Sequence, residues 1–382
     1  MRIKHHAIKI LCTIVLWATV CGFTVLPRTD YTLTVYAGDK LYIISYPEVD
    51  ISRGALYIKD VDAVIDRIYS DTAILPTDAT VCFHPGKEQK FTFTKERQGK
   101  HLIKSHLKAQ ISDALKEGKA KVYAKFQTAK PSVTEEDLIR QTALRAEFST
   151  DYSSSSDARK NNISLACCAI NGTFLKNGGK LSFNAYVGER TEERGYQEAK
   201  IILNGKFESG VGGGVCQVST TLYNCALLAG MDVTERHQHT LLVSYIEPSF
   251  DAMVSSASDL CFTNNSGAGI FIEALADGNR LLFRFYGLEM DFSVERHYEL
   301  VSVEDSGYDE ILDQTGELCG DEEQKIITPS ISTVKSKGFI TVEKNGVKIT
   351  TLLSQDVYLG RRGVIAKKGH AIGYSNNSMP IT

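Results

Sequence analysis

The sequence has 382 residues, of which 43% are hydrophobic and 23% are charged, and its formal net charge is −3. These values are ordinary for globular proteins, and the length leaves room for two or three domains. The small acidic net charge excludes the strongly basic surface that is typical of nucleic-acid-binding proteins, so we expect no nucleic-acid partner.

The N-terminal residues predict an export signal or a membrane anchor. Arg2, Lys4 and Lys9 precede an uncharged, mostly apolar stretch at residues 10–26. A basic start followed by an apolar run is typical of both kinds of segment. We assign residues 1–29 to an uncleaved single-pass anchor whose positive end stays inside, so the rest of the chain is expected outside the cytoplasmic membrane. A cleaved signal, and hence a secreted protein, is the alternative.

Residues 30–145 predict a small α+β domain. Strand signals, in which apolar residues alternate, are interrupted twice by apolar residues at helical spacing. Strands mixed with two helices are typical of an α+β fold. The expected elements are a strand pair within residues 31–60, a helix at 61–69, strands at 79–83 and 90–94, a helix at 102–117 and strand character at 119–127.

Residues 146–290 predict a second, β-rich α+β domain built around a cysteine-bearing helix. Three glycines at residues 212–214 precede Cys216, and glycines let another molecule approach the backbone closely. Apolar residues then recur at helical spacing until Gly230, a residue favoured at helix ends. Cys216 is therefore expected at, or one residue before, a helix N-terminus, where the helix dipole favours a reactive thiolate. A small buried cysteine that packs behind a glycine turn is the alternative.

Two histidines follow this helix. The pattern of side chains at residues 237–245 predicts a strand. Alternate side chains of a strand lie on the same face, so His237 and His239 would share one. A cysteine nucleophile needs a histidine that takes its proton or remains as the imidazolium of an ion pair. We expect His239 in this role, with His237 second. Asp251 is the candidate for orienting the histidine, with Asn184 weaker, and a loop role in which Asp251 binds backbone N–H groups is the alternative.

Arginines, glycines and a tyrosine near the cysteine are candidates for binding substrate. A guanidinium binds a carboxylate through two parallel hydrogen bonds, although a structural ion pair is the alternative for each arginine. The residues expected to contact substrate are Arg190, Arg194, Arg236, Gly213, Gly214 and Tyr223.

A zinc site is the competing interpretation of the same stretch. Catalytic zinc sites use three protein ligands, which Cys216, His237 and His239 could supply. No acidic residue follows in register as a further ligand, so we expect neither a metal nor another cofactor.

The rest of the chain predicts strands and one acidic connection. Alternating residues flank the hairpin turn Asp277-Gly278-Asn279, and this strand pair is expected to close the second domain. Residues 300–325 are rich in acidic side chains, which is typical of a solvated connection. The expected segments are strands at 269–275 and 280–286, a linker at 291–335, and a β-rich tail at 336–382 with a strand pair around residues 344–346.

Several sequence blocks resemble the VanW family. The resemblance covers residues 145–290 and is specific, because many blocks match in one order. A weaker resemblance, at residues 91–96, 111–118 and 131–134, links the first domain to the peptidoglycan-binding domain that often precedes a VanW domain. The VanW blocks are residues 171–173, 181–184, 187–191, 194–196, 212–224, 235–240, 251–252 and 259–265.

The resemblance implies an anchored cell-wall enzyme that acts on peptidoglycan stem peptides. VanW domains are associated with glycopeptide (vancomycin) resistance gene sets and with cysteine-dependent L,D-transpeptidation of peptidoglycan. By resemblance, Cys216 would form a thioacyl-enzyme, His239 would move the protons, and backbone N–H groups at residues 215–218 would form the oxyanion hole. The product would be a diaminopimelate-to-diaminopimelate cross-link. A non-catalytic wall-binding or resistance accessory protein and a cysteine-dependent carboxypeptidase are the alternatives.

Overall fold

The computed structural model describes residues 29–203, 206–313, 318 and 324–368. Within this part of the chain the protein has the predicted α+β fold, with more strands than helices. The apolar stretch of the predicted anchor, residues 10–26, lies outside the described residues. Among the residues that are described, no helix is both long and apolar enough to cross a membrane.

The chain divides into two compact units. The smaller unit consists of two segments, the chain up to Thr77 and Arg97–Pro131. The larger unit consists of Asp78–Glu96 and the chain from Ser132 onward. The first elements, in chain order, are β1 (Leu33–Ala37), β2 (Lys40–Ile44), β3 (Val49–Ser52), β4 (Ala55–Ile58), α1 (Val61–Thr72), β5 (Thr80–Phe83), β6 (Phe91–Thr94), β7 (Gly99–Leu102), α2 (Lys104–Glu117), β8 (Lys121–Tyr123), β9 (Phe126–Ala129) and α3 (Glu135–Arg140).

A three-stranded sheet lies at the centre of the smaller unit. β1 runs antiparallel to β2 and parallel to β8, and α1 and α2 share one hydrophobic core with it. Leu33 and Val35 of β1 are fully buried, as are Ile68 of α1 and Ile111 of α2. The Asp60 side chain accepts a backbone hydrogen bond at the start of α1, which fixes its first turn. Both predicted helices and the first strand pair are confirmed.

The hairpin of β5 and β6 belongs to the larger unit. Its Phe83 and Phe91 rings lie 5.1 Å apart, and both contact Phe271 and Tyr286. Such aromatic pairs add about 0.5–1.5 kcal/mol each beyond the area they bury. The predicted strand pair is confirmed, but the structure divides the chain differently from the predicted domain boundary, because these rings join the hairpin to the later strands.

The elements from residue 143 onward all belong to the larger unit. A short 3-10 turn lies at Glu192–Arg194. The helices and strands are β10 (Ala143–Asp151), α4 (Asp157–Ile170), β11 (Thr173–Leu175), β12 (Lys180–Ser182), α5 (Phe183–Val187), β13 (Glu198–Leu203), β14 (Lys206–Val211), α6 (Val215–Leu228), β15 (Asp232–Glu235), β16 (Cys261–Thr263), β17 (Ile270–Ala276), β18 (Arg280–Gly287), β19 (Ser293–Glu304), β20 (Tyr308–Leu312), β21 (Gln324–Thr328), β22 (Thr333–Lys344), β23 (Val347–Tyr358) and β24 (Gly363–Lys367).

Helix α6 is the centre of the larger unit. A four-stranded sheet in the order β10-β18-β17-β11 shares one core with α4 and α6. Every residue of α6 is buried except Cys216 and Leu228. Buried polar groups need hydrogen-bond partners, and Gln217, for example, donates to Thr150 Oγ1 at 2.9 Å and accepts from Arg159 at 2.8 Å. The cysteine is therefore the one partly accessible residue in the first turns of this helix.

The predicted linker at residues 291–335 is wrong for the residues that the structure describes. β19 pairs with β22, and β22 with β23, along a long antiparallel ribbon. Much of the ribbon is exposed, for example at Leu300 and Val303. It therefore lacks the one-sided apolar alternation that identifies a strand from sequence. The predicted strand pairs around residues 277–279 and 344–346 are both confirmed.

A buried carboxylate, Glu273 of β17, anchors the β5–β6 hairpin. It accepts hydrogen bonds from Lys90 Nζ and the Gly86 N–H, both at 2.6 Å, and from Arg284 at 3.3 Å and Tyr286 Oη at 3.2 Å. Burial raises the pKa of Glu273, but the contacts with Lys90, Gly86 and Arg284 outweigh burial and bring this pKa below its ordinary value. The ionised carboxylate is therefore the form that stabilises the fold.

We expect Glu273→Gln to lower the free energy of unfolding by about 2 kcal/mol at pH 7, because Lys90 and Arg284 lose their counter-charge. The folded-state pKa is lowered, so this stabilisation is fully present above the unfolded pKa of about 4.3 and is lost as the pH falls through the folded pKa. Urea unfolding followed by circular dichroism at several pH values measures both effects. Glu147→Gln changes a half-exposed partner of Arg284 and is the matched control, with an expected cost below about 1 kcal/mol. Equal costs for the two variants would contradict the role of Glu273.

Candidate active site

Cys216 lies at the N-terminal end of α6. Gly214, with a φ of 109°, is the N-cap residue, so Val215 is the first helical residue and Cys216 the second. This position agrees with the prediction. The cysteine is partly exposed, and its Sγ lies 3.4 Å from the Val254 carbonyl oxygen, to which the un-ionised thiol would donate. The thiol is thus both accessible and at the positive end of the helix dipole.

The glycines before the cysteine serve internal packing. A Cβ atom on Gly213 would lie 2.7 Å from the Lys200 carbonyl oxygen and 2.8 Å from that of Ala199, and one on Gly214 would lie 2.9 Å from Arg159 Cγ. Gly213 is buried, and Gly214 has a positive φ that favours glycine. The protein itself fills the space on the Cβ side of these two glycines, so this packing accounts for them, and their expected contact with substrate stays a prediction.

His239 is the histidine that the structure brings to Cys216, and the two side chains interact directly. His239 Nδ1 lies 2.6 Å from Asp251 Oδ2, and the same oxygen accepts the His239 backbone N–H at 2.7 Å. Because Nδ1 is held by the carboxylate, Nε2 is the ring nitrogen left for the thiol. The structure therefore brings together three of the predicted residues, with Asp251 orienting the histidine.

The contacts favour a thiolate–imidazolium pair. Burial raises the pKa of Cys216, but His239, the Val254 backbone and Arg190 outweigh burial, and the net pKa is lowered. Burial lowers the pKa of His239, while Asp251 and Cys216 raise it to about 9. Burial likewise raises the pKa of Asp251, but its hydrogen bond to His239 and its other partners bring the net value below the ordinary one. These shifts favour the ionised form of the thiol more than in an ordinary cysteine.

His237 is not part of this arrangement. Its ring contacts Glu235 Oε1 at 3.1 Å, and its side chain is 41% exposed. The strand predicted at residues 237–245 is wrong: after β15 ends, an isolated bridge from His237 to Met253 is the only ladder contact of this fully described stretch. The two histidines therefore do not share a face, so His237 is not placed as a catalytic base. The zinc site that both histidines would share with the cysteine is not assembled.

Arg236 and Tyr223, both expected to contact substrate, are buried structural residues. The Arg236 guanidinium donates to Asp251 Oδ1 at 2.7 Å and to both oxygens of Asp356 at 2.8 and 3.0 Å. It lies 5.9 Å from the centre of the Tyr223 ring, and Tyr223 is 1% exposed. The structure gives these substrate contacts no support, and it shows the structural ion pair that was the alternative for Arg236.

Strand β23 contributes two side chains that the sequence analysis missed. Tyr358 Oη donates to Asp251 Oδ1 at 2.6 Å and accepts the Ser249 N–H at 2.8 Å, while Asp356 pairs with Arg236. Both strand residues are almost fully buried. A period of two in the sequence predicts that they share a face, but no local signal indicates a partner that is 107 residues away.

Two arginines flank the thiol. Arg190, one of the three predicted, and Arg159 of α4, which the sequence analysis missed, are half-buried, and both charges act on Cys216. Arg159 is oriented by Gln217 Oε1 at 2.8 Å and Ser155 Oγ at 2.7 Å. These guanidinium groups make the surroundings of the thiol suitable for an anionic substrate group.

Asn184 and Arg194 have other contacts. Asn184 Oδ1 accepts from Arg190 at 2.5 Å, and its Nδ2 donates to the carbonyls of Ser255 and Ser258 at 2.9 and 3.0 Å. It therefore ties a loop and an arginine together rather than orienting a histidine. Arg194 is exposed and donates to a backbone carbonyl of its own loop, so its expected contact with substrate receives no support from the structure.

Two of the first backbone N–H groups of α6 donate within the protein. The Val215 and Gln217 N–H groups each donate to a glycine carbonyl, at 3.2 and 3.0 Å. The Cys216 N–H lies between them and has no acceptor among the residues that the structure describes. The Val218 N–H likewise has no acceptor among the described residues, so these two N–H groups are the available donors at residues 215–218, where the oxyanion hole stays a prediction.

Two family models match the chain. Residues 158–286 match the model described as "VanW like protein", and residues 48–124 match the one described as "Putative peptidoglycan binding domain". The region that matches the VanW-like model thus follows the region that matches the putative peptidoglycan-binding model. Cys216, His239 and Asp251 lie inside the VanW match, whereas Asp356 and Tyr358 lie outside it.

Two curated relatives are similar over part of the chain. The "Uncharacterized protein YoaR" of Bacillus subtilis is 35% identical over 176 residues, which is 46% of this chain and 58% of that protein. The "Vancomycin B-type resistance protein VanW" of Enterococcus faecalis is 30% identical over 90 residues, 24% of this chain and 32% of that protein. The match therefore spans less than two thirds of either relative. A solved structure, "Crystal structure of HP0197-G5", aligns with 20% of this chain and 99% of its own at 17% identity, but its TM-score of 0.13 is too low to indicate a shared fold.

We expect the rate at which the Cys216 thiol reacts with iodoacetamide to rise less steeply between about pH 6 and pH 9 than that of an ordinary cysteine, because the His239 imidazolium, with a pKa of about 9, lowers the pKa of the thiol. In His239→Gln and Asp251→Asn the rate at pH 7 should fall about tenfold and rise with pH, because burial then dominates the pKa of the thiol. Mass spectrometry of the Cys216 peptide measures the rate. The exposed Cys82 and Cys168 of the same molecules are internal controls. The ion pair is refuted if Cys216 and Cys168 show the same pH dependence in the wild-type protein.

We expect Arg236→Met to lower the free energy of unfolding by about 3–5 kcal/mol, because it leaves the buried carboxylates of Asp251 and Asp356 without their cation. Thermal and urea unfolding measure the loss. Arg194→Met removes an exposed arginine and should change stability by less than about 0.5 kcal/mol. An Arg236→Met protein as stable as the wild type would contradict the structural role.

Proposed function

We propose that the chain is a cysteine-dependent L,D-transpeptidase that acts on peptidoglycan. The observation that carries the proposal is the arrangement of Cys216, His239 and Asp251 at a helix N-terminus. The peptidoglycan-binding domain and the relative described as a vancomycin resistance protein support a role at the cell wall. The proposed substrates are the stem peptides of peptidoglycan, and the chemistry needs no cofactor.

The first step is acylation of the cysteine. The Cys216 thiolate attacks the carbonyl carbon that follows the L-centre of diaminopimelate in a donor tetrapeptide stem. The Cys216 N–H donates to the oxyanion that develops on this carbonyl. The carbon–nitrogen bond to the terminal D-alanine breaks, the His239 imidazolium gives its proton to the leaving amine, and a thioester remains.

The second step transfers the acyl group to an amine. The uncharged side-chain amine of a second diaminopimelate attacks the thioester carbonyl, a carbon–nitrogen bond forms, and the carbon–sulfur bond breaks. The neutral His239 takes one proton from the attacking nitrogen, which restores the thiolate–imidazolium pair. Asp251 stays ionised and holds the ring in the same orientation throughout.

The flanking arginines give a basis for donor recognition. The terminal D-alanine of the donor carries a carboxylate close to the bond that breaks. Arg190 and Arg159, whose charges act on the thiol, are the groups proposed to bind it. Arg190 keeps its predicted role in this proposal, and Arg159 takes the role that was expected of Arg194 and Arg236.

The proposed substrate fixes the compartment in which the chain acts. Peptidoglycan lies outside the cytoplasmic membrane, so the proposal includes export through the basic and apolar segment at residues 1–29, retained as an anchor or cleaved. The peptidoglycan-binding domain would hold the enzyme against its polymeric substrate and raise the local concentration of stem peptides.

The test is incubation of the full chain with disaccharide-tetrapeptide muropeptides and analysis of the products by mass spectrometry. We expect a cross-linked dimer that has lost one D-alanine. Cys216→Ala should abolish the dimer, and His239→Gln should reduce its rate at least about a hundredfold, the low end of the usual effect of a general acid–base group.

Cys168→Ala is the matched control, because it removes an exposed cysteine of α4 and should leave the rate unchanged. Tripeptide without dimer, dependent on Cys216, would identify a carboxypeptidase instead. A folded protein that pulls down cell wall but forms no Cys216-dependent product would refute the enzyme and leave a binding protein.

A further inference from the structure

A shallow cavity of about 480 Å³, largely open to solvent, lies in the larger unit near the candidate active site. It is lined by Ser149 and Thr150 of β10, by Ser244 and Tyr245, and by Arg296 of β19. Its volume falls within the usual range for sites that bind small molecules or peptide ends. None of the residues in the reaction steps above lines this cavity, so it is a separate feature.

Two residues connect the cavity to the thiol. Tyr245 lines the cavity, and its hydroxyl group lies against Thr220 and close to Cys216. Thr150 also lines the cavity, and its Oγ1 accepts a hydrogen bond at 2.9 Å from Gln217, the residue after the cysteine. A molecule bound in the cavity would therefore approach the N-terminus of α6, where the thioester would form.

The cavity contains one pair of opposite charges. Both terminal nitrogens of Arg296 donate to Glu247 Oε2 at 3.1 Å, and the guanidinium is held between the rings of Phe148 and Phe250 at 4.7 and 4.5 Å. The Arg296 side chain is 14% exposed and that of Glu247 is 49% exposed. Glu247 Oε1 has no partner among the described residues, so the carboxylate has an oxygen free for a ligand. The geometry thus presents an oriented cation beside an accessible anion.

We propose that this cavity binds the acceptor of the reaction by the amino-acid group of its diaminopimelate side chain, an inference that rests on the proposed transpeptidase function. That group carries an ammonium and a carboxylate on one carbon. Glu247 binds the ammonium, and Arg296 binds the carboxylate, for which a guanidinium is well shaped. The bound ammonium releases one proton to solvent, and the resulting amine attacks the thioester as described above. The pair therefore selects an acceptor that ends in a zwitterion.

The first test measures binding without chemistry, in the full chain carrying Cys216→Ala. The probes are the tripeptides L-Ala-γ-D-Glu-meso-diaminopimelate and L-Ala-γ-D-Glu-L-Lys, because the lysine side chain has the amine but lacks the neighbouring carboxylate. We expect calorimetry to show about tenfold tighter binding of the diaminopimelate peptide. Arg296→Met should remove this preference, and Glu247→Gln should lower the affinity for both peptides about tenfold.

Glu299→Gln is the matched control, because it removes an exposed carboxylate of the same strand as Arg296. It should bind both peptides as the parent protein does. Equal affinity for the two peptides, unchanged affinity in Glu247→Gln, or no binding of either peptide at millimolar concentration would overturn the proposal. Glu247→Gln keeps the result decisive if Arg296→Met does not fold.

The second test separates this inference from the proposed function. In the muropeptide assay, Glu247→Gln with Cys216 intact should release D-alanine and form the thioester at the wild-type rate, while cross-linked dimer falls about tenfold. A dimer yield equal to that of the wild type would overturn the acceptor site alone. If the wild-type protein forms no thioester, the transpeptidase function itself is refuted, whatever the binding measurements show.

Discussion

The Asp251 carboxylate is the group on which the rest of the candidate site depends. Oδ2 accepts the backbone N–H and the ring Nδ1 of His239, while Oδ1 accepts Arg236 and Tyr358. A buried carboxylate is costly unless its oxygens are satisfied, and here each oxygen accepts two hydrogen bonds. One of these donors is the backbone N–H of His239, in the stretch that follows the end of β15. With its backbone and Nδ1 both held by Asp251, His239 contacts Cys216 of helix α6.

The same burial makes the thiol and the imidazole ionise together. Cys225, further along the same helix, is buried without a cation beside it, and burial raises the pKa of its thiol. Burial also raises the pKa of the Cys167 thiol, to about 12. The pKa of the Cys216 thiol is lowered instead, because the His239 imidazolium lies beside it. In a low dielectric an isolated charge is strongly penalised, but two opposite charges in contact attract each other more strongly than in water.

The sequence predicts the parts of this protein that are encoded locally. Helical spacing indicates α1, α2 and α6, the hairpin turns indicate their strand pairs, and the glycines before Cys216 place it at a helix N-terminus. His239 and Asp251 are found because cysteine chemistry requires a base and a group that orients it. These predictions succeed because each rests on a spacing of a few residues or on a requirement of the chemistry.

The failed predictions involve contacts between distant parts of the chain. Alternation at residues 237–245 predicts a strand, but the satisfaction of Asp251 overrides this local preference. Arg236 and Tyr223 resemble substrate-binding residues in sequence, and only Asp356, 120 residues from Arg236, reveals a buried ion pair. Arg159 is close to the thiol because α4 packs against α6, and no periodicity within α4 could indicate which of its residues would face that site.

The ribbon of β19, β22 and β23 is part of the candidate site rather than an appendage to it. The VanW match ends at residue 286, yet Asp356 and Tyr358 of β23 complete the partners of Arg236 and Asp251. Without them, Arg236 would face a single carboxylate, and Asp251 Oδ1 would lose a donor in a region that water does not fill. An unpaired buried polar group costs about 1–3 kcal/mol, enough to favour another position of the loop that carries His239. The folding unit that maintains the geometry at Cys216 therefore extends at least to Tyr358, and the matched domain alone does not contain all the residues that hold its own histidine in place.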